Sequence, residues 1–512
     1  MASVKTAYDI IRGPALAREA ARRGWRPLQQ TLGRAVVAVA VVCTVALASA
    51  PDLHGARASA ATVGSALEWN RAYDGYAAKV AAWPARLRGY GALAVRQGID
   101  LYIVDGDAPA ARAFRRIEHG ATVRGTAWSH DGRWLAFATD RRLWLFDRRG
   151  SAPRRIPVAV APGDAFVWSP HADVLAVIAA QPGRRYPCFW RPAVVECAVP
   201  PSSPITLVEE VATTSLVTTE LRVTRLPITG APAGLRWSAD GRRISSYFFT
   251  AIPAYRSFTT SRTAVYREQV SARGRTGREE LVAQSAPGGQ LAFAAIPQFG
   301  DAFVYWMGSE LSASASADGQ DLVVSAPSGT SRSLGVSLVH REWITFAPDG
   351  KHFVFVAGGG REAWHAKTLK LCGARCRGLP APAGSISVDP TWNPRGARIA
   401  FVHAADIGPD GGYGTAFIPS WINRRALWVE NTQSGIVQPL KRFGTGIFWP
   451  HWSRDGRMLM AFRDGEIWFG SPDGSAPQRI VSGLARPADF DTFMFDHGVS
   501  SAADAPVDWT GG

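Results

Sequence analysis

One string constrains this chain more than any other: Trp128-Ser129-His130-Asp131-Gly132-Arg133-Trp134-Leu135-Ala136-Phe137, followed by Leu143-Trp144-Leu145-Phe146-Asp147. An aromatic precedes an Asp-Gly pair, and strand-forming residues follow. The sequence predicts a two-residue type I′ hairpin at Asp-Gly, because Gly accepts φ > 0 freely and Asp tolerates it. A second turn near Asp140 returns the chain through Leu-Trp-Leu-Phe. The pattern recurs at Trp168-Ser169-Pro170-His171-Ala172-Asp173, Trp237-Ser238-Ala239-Asp240-Gly241-Arg242, Phe346-Ala347-Pro348-Asp349-Gly350-Lys351, Trp392-Asn393-Pro394-Arg395-Gly396 and Trp452-Ser453-Arg454-Asp455-Gly456-Arg457. A weaker copy, Ser316-Ala317-Asp318-Gly319-Gln320, has Ala315 in the aromatic position. A period of roughly 40–45 residues with variable insertions marks four-stranded propeller blades.

A single four-stranded sheet cannot bury both faces, so such sheets stack radially. The recurrent aromatics, Trp128, Trp168, Trp237, Phe346, Trp392, Trp452 and Trp509, are expected to pack between neighbouring blades. Ala92–Val95 and Leu101–Asp105 read as later strands of a unit without its opening aromatic, and Val507-Asp508-Trp509 as an opening without later strands. Together they would make one composite blade that closes the ring and removes two sheet edges. The fold class is therefore all-β, a propeller of six to eight blades. Seven is preferred, with the copy at Ser316 merged into a neighbour.

The W-S-x-D-G-[RK] string with its L-W-L-F-D strand resembles the WD-like repeat of TolB-type bacterial envelope propellers, over roughly residues 92–512. That resemblance implies an exported propeller. Insertions around 181–230 and 251–300 depart from a compact propeller of that kind, and no separate N-terminal α/β domain is visible.

Ahead of the repeats, residues 1–34 carry seven bases against two acids. The uncharged Ala/Val-rich run Ala35–Ala50 follows; its 16 residues fit either a transmembrane anchor or a signal h-region. Ala46-Leu47-Ala48 offers a small-residue cleavage site, and Val42 before Cys43 argues against lipidation. Basic residues before the apolar run place the N-terminus in the cytoplasm and the propeller outside. Residues 51–90, rich in Ala and Gly, read as a linker with some helix, and 91–512 as the propeller. On the exported side, Cys188 with Cys197 and Cys372 with Cys376 are close pairs, the pattern of two small disulfides. Metal binding by these cysteines, with His365 or His403, is the alternative, although neither spacing is a zinc signature. The net charge of +15 favours anionic partners such as lipid headgroups or acidic envelope polymers.

The sequence contains no G-x-S-x-G elbow, no H-E-x-x-H, no P-loop and no recognisable nucleic-acid motif. Two acidic loops are candidates for cation binding or acid–base work: Asp489-Phe490-Asp491 with Asp496-His497, and Asp406 to Gly414 with Asp410. Aromatics concentrate at Tyr247–Phe258 and Phe299–Trp306, in stretches read as long connections. Two functional readings stand. The first is a non-enzymatic, monomeric envelope platform without a cofactor, binding a protein or an anionic polymer. The second is an exported carbohydrate-active lyase or hydrolase with its site at the channel mouth. A concave mouth with converging ionisable groups would favour the second.

Overall fold

The repeat strings opening at Trp128 and Phe346 fold as hairpins whose second strand is apolar and buried on both faces. Trp134–Thr139 and Phe353–Ala357 are buried at every residue. That double burial follows when a sheet is sandwiched between two others, and it explains continuous apolar runs where a half-exposed strand would alternate. The computed structural model describes most of residues 80–178, little more than strand backbones between 188 and 308, most of 319–485, and 507–510. All of these belong to one unit, Val63–Gly512.

The described strands form eight antiparallel sheets of four or more strands, plus a two-stranded ribbon, Cys188–Arg191 with Val194–Cys197. Blade 1 comprises Val507–Trp509, Ala92–Gln97, Asp100–Asp105 and Phe114–Ile117. Blade 2 begins at Val123–Trp128, blade 3 at Phe166–Trp168, blade 4 at Pro232–Trp237 and blade 5 at Gln290–Ala292. Blade 6 begins at Ile344–Phe346, blade 7 at Ser385–Trp392 and blade 8 at Ile447–Trp452. Each sheet touches the next in chain order. Among the described residues the ring holds eight blades, not the preferred seven. The sheet built on Ala302–Gly308 and Gln320–Ser325 stands by itself. Asp318-Gly319 lies between its second and third strands. Two short strands, Gln290–Ala292 and Gln298–Phe299, pair with its second strand, the latter ahead of Gly300-Asp301 in the sequence.

The Asp-Gly turns also differ from the sequence reading. Gly132 donates its N–H to the Ser129 carbonyl at 2.9 Å, and Ser129 N–H donates to Trp134 at 2.7 Å. Only Gly132 takes a left-handed φ, +70°, so this is a wider turn than type I′. The Asp131 carboxylate pins it by accepting from the Ser129 hydroxyl (2.6 Å) and Arg133 N–H (2.9 Å). Ser453, Asp455 and Arg457 repeat these contacts in blade 8. A type I′ Asp-Gly does occur at Asp464-Gly465, with φ of 49° and 73°, where Arg463 pairs with Glu466. At Gly456 the side chain must also be absent for space, because a Cβ there would sit 2.4 Å from Asn393 Oδ1 of blade 7.

Four opening tryptophans, at the ends of innermost strands, tie their blades to the one before. Trp168 Nε1 donates to the Ala127 carbonyl (2.9 Å), Trp237 to Val167 (3.1 Å), Trp452 to Thr391 (3.2 Å) and Trp128 to Asp508 (3.3 Å). In every case the acceptor is the residue just before the preceding blade's opening tryptophan. Phe346 has no N–H to donate, and Trp392 turns its indole to Gly396 of its own turn (3.2 Å).

Two strand exchanges close the ring. Val507, Asp508 and Trp509 pair with Val95, Ala94 and Leu93, supplying the innermost strand of blade 1. Trp509 meets Phe469 of blade 8 edge-to-face at 5.6 Å and donates to the Tyr90 carbonyl at 2.7 Å. In the other direction, Ala81–Ala82 adds a fifth, outer strand to blade 8, and Trp83 N–H donates to Ile480 at 2.8 Å. The Trp83 ring is covered by Arg479 at 4.5 Å and Arg86 at 5.2 Å. Residues 80–90 thus form part of blades 8 and 1, within the stretch read above as a linker.

Replacing Trp452 by Phe keeps the packing and removes one inter-blade hydrogen bond. It should cost about 1 kcal/mol in equilibrium denaturation, whereas Trp452→Ala should cost about 3–5 kcal/mol. Deleting residues 505–512 bares the inner edge of blade 1. The loss of a few hundred Å² of apolar burial amounts to several kcal/mol, and the melting temperature should fall by many degrees. A truncated protein that melts with the full-length chain would show that Ala81–Ala82 closes the ring alone.

Candidate recognition face

In a four-stranded up-and-down blade, the connection between the second and third strands emerges at the end opposite the Asp-Gly turn. At that end the blades fall into two groups. Blades 1, 2 and 8 make two-residue turns, at 98–99, 140–141 and 464–465. Blades 3 to 7 carry residues 179–204, 252–262, 309–319, 358–367 and 406–425 there. Long connections on a rigid ring are where binding residues concentrate. Five consecutive blades, a crescent of the ring, therefore have long connections between their second and third strands.

The described part of that crescent lies over blades 6 and 7. Lys367, 1% exposed, donates to the carbonyls of Gly359 (3.0 Å), His365 (3.0 Å) and Gly360 (3.3 Å). Burial lowers its ammonium to about 8, so at neutral pH it remains charged, with all three donors used. His365 Nδ1 lies 2.7 Å from Asp406 Oδ1, linking the blade 6 loop to that of blade 7. Asp406 also accepts from the N–H groups of Gly408 (2.9 Å) and Ala366 (3.0 Å). Burial opposes its charge, but His365 and these two N–H groups outweigh it and hold the carboxyl below its usual range.

Beneath the loops, Asp389 and Arg425 form a buried pair with N···O 2.5 Å. Trp343 Nε1 of the blade 6 entry donates to Asp389 (3.2 Å), and Arg425 Nε donates to the Ile447 carbonyl of blade 8 (2.9 Å). The guanidinium lies over Phe448 at 4.0 Å and Trp421 at 4.9 Å. Burial pushes the Asp389 carboxyl up and the Arg425 guanidinium down, and each partner counters the other's shift. Asp389 has φ +51° beside a register shift in its strand, a bulge that turns its carboxylate toward Arg425. No sequence motif marks this knot. Its only sequence trace is an acid and an arginine within otherwise apolar surroundings.

The remaining candidates divide between buried and peripheral places. Cys372 and Cys376 form a disulfide, S–S 2.01 Å, at the tip of the outer hairpin of blade 6, so they are not metal ligands. Cys188 and Cys197 face each other in the register of the ribbon, and their side chains lie outside the described residues. His403 is buried against Trp428, with Nδ1 2.9 Å from Ser387 Oγ, and burial lowers its pKa. His352 stands on the rim, paired with Asp349 at 2.6 Å. Val304, Tyr305 and Trp306 lie in the second strand of blade 5, buried, with Trp306 Nε1 on Ser337 Oγ at 2.7 Å. That part of Phe299–Trp306 is core and not an exposed connection. The side chains of Tyr247–Phe258, the cluster at Asp489–His497, and Asp410 to Gly414 lie outside the described residues. Among the described residues, clefts of about 500 and 480 Å³ open beside Pro439, Leu440 and Lys441, against the outer strand of blade 7. No helix among the described residues is long and apolar enough to cross a membrane.

The repeat and the ring are now both in view. The fold is a β-propeller. No protein-family model matches the sequence, and no curated protein matches it. Similar solved structures include a putative TolB from Agrobacterium tumefaciens, 12% identical with TM-score 0.28, covering 76% of this chain and 88% of that one. TolB from Acinetobacter baumannii is 16% identical with TM-score 0.29, covering 71% and 79%. A puromycin hydrolase mutant is 15% identical with TM-score 0.41, and this propeller covers 60% of it against 82% of this chain.

One titratable group sits on the closure strand itself. Burial pushes the Asp508 carboxyl up to about 7, against the opposing pull of Arg96 and the Thr126 hydroxyl. The folded chain therefore holds a proton that the unfolded chain releases. This contribution to stability is complete below the unfolded value of 3.8 and is lost as pH rises through about 7. Asp508→Asn mimics the protonated form. Its melting temperature relative to the unsubstituted protein should rise between about pH 4 and about pH 7 and level off above that. A flat difference would place the carboxyl in water.

Proposed function

We propose that this propeller is an exported, non-enzymatic binding platform of the bacterial cell envelope, engaging a protein or an anionic envelope polymer through the crescent of loops on blades 3 to 7. The observation that carries this reading is the contrast at one end of the ring between two-residue turns on blades 1, 2 and 8 and long connections on the other five. Where the crescent is described, Lys367 and the His365–Asp406 pair hold the loops of blades 6 and 7 in place. Such pre-organisation lowers the entropic cost of binding. The basic N-terminus and apolar run support export, and the excess of arginine supports an anionic partner.

Photo-crosslinking in intact cells tests the assignment. A photoreactive residue in place of Glu362 or Pro409, on the blade 6 and 7 loops, should capture a specific partner. The same residue in place of Ile99, exposed in the tight turn of blade 1 at the same end, should not. Equal capture from all three positions, or none from the two loops, would overturn the assignment.

A further inference from the structure

At the opposite end of the ring, the Asp-Gly turns of neighbouring blades lie against one another, and one contact has the chemistry of a ligand site. We infer that His130 and Asp131 of blade 2, with Asp173 of blade 3, form a divalent-cation site of the zinc class that clamps the two blades together. One ligand atom from each of the three lies within 4.8 Å of the other two. His130 Nδ1 and Asp173 Oδ1 stand 3.3 Å apart. Both atoms are shielded from solvent, yet neither has a hydrogen-bond partner. A ring nitrogen and a carboxylate oxygen that face each other at this distance, out of hydrogen-bond alignment, match two ligands sharing one metal. Zn–N and Zn–O bonds of about 2.0–2.2 Å at roughly tetrahedral angles separate the ligand atoms by about 3.4 Å.

Asp131 is fixed for the role. Its Oδ1 accepts from Ser129 and Arg133, leaving Oδ2 to reach a metal. The backbone of the His130 turn is held from blade 8, where Arg454 donates to the His130 carbonyl at 2.5 Å. Arg133 is the nearby cation whose charge competes, and its guanidinium is drawn 3.2 Å from Asp147. Two carboxylates facing each other across a blade interface repel. A bound cation removes that repulsion.

The repeat supplies a separate line of support. After the opening aromatic and its neighbour, four of the six copies place Asp, then Gly, then Arg or Lys: Asp131-Gly132-Arg133, Asp240-Gly241-Arg242, Asp349-Gly350-Lys351 and Asp455-Gly456-Arg457. Blade 3 instead has His171-Ala172-Asp173, an acid where those copies are basic. Blade 2 alone has His in the position before the Asp, where the other copies have Pro, Ala or Arg. The two departures meet at the same blade junction. Folding of the turn requires neither, since the other copies fold without them.

The test uses full-length protein freed of metal by chelation and then titrated with Zn²⁺, and with Co²⁺ as a spectroscopic stand-in. One equivalent should bind, with a visible Co²⁺ spectrum of nitrogen-and-oxygen ligation and a rise in melting temperature. Asp173→Asn and His130→Gln should each weaken binding by at least about tenfold and abolish the rise. Asp349→Asn, which breaks the exposed His352–Asp349 pair of blade 6, should leave both unchanged. Circular dichroism of the metal-free variants separates lost binding from lost folding. Absence of Zn²⁺ and Co²⁺ binding by the unsubstituted protein would overturn the inference. So would affinity that survives both Asp173→Asn and His130→Gln, which would place the metal elsewhere and leave His130–Asp173 a plain ion pair.

Discussion

The ring rests on an indole N–H reaching backward to the preceding blade. Tryptophan suits that place because it combines a large apolar surface with one donor that must be satisfied when buried. The apolar ring fills the wedge between two sheets, while Nε1 meets a carbonyl at a fixed position of the neighbour's innermost strand. Since in these bonds the acceptor is the residue before the preceding blade's anchor, each bond sets the height of one blade against the last. Phe346 shows that packing alone suffices at one junction. At Trp392 the indole instead secures its own turn.

A chain of pairwise contacts needs its ends joined, and here the termini of the propeller do so twice. The C-terminal strand enters blade 1 from the inside, and Ala81–Ala82 covers blade 8 from the outside. Because blade 1 takes its first strand from the far end of the chain, it has no covalent turn where the other blades have one. Arg454 spans that gap to His130. The two ends of the strands thereby acquire different characters. One end is a close-packed ring of Gly turns with little freedom to vary, and the other carries connections of any length the ring can support.

The sequence reading went astray where one dipeptide serves two purposes. Asp-Gly marks a hairpin but does not say which hairpin of a blade it closes. At 131–132 it joins the first and second strands through a wide turn, at 464–465 the second and third through a type I′ turn, and at 318–319 it follows a long connection. Merging the last into a neighbour left the count one blade short. The knot of Asp389, Arg425 and Trp343 was illegible for another reason. Its members are far apart in the chain and share no spacing, and only the folding of blade 7 and its stacking on blade 6 bring them together.

By itself the sequence determined the all-β class, the four-stranded unit and the pairing of the two chain segments in blade 1. These follow from local periodicity and turn chemistry, which each repeat carries within about forty residues. Tertiary structure alone decided the number of blades, the bonds that the tryptophans make, the gathering of long loops at one end and the meeting of His130 with Asp173. Those depend on which residues become neighbours when separate sheets stack. Radial packing sets that geometry, and no single repeat contains it.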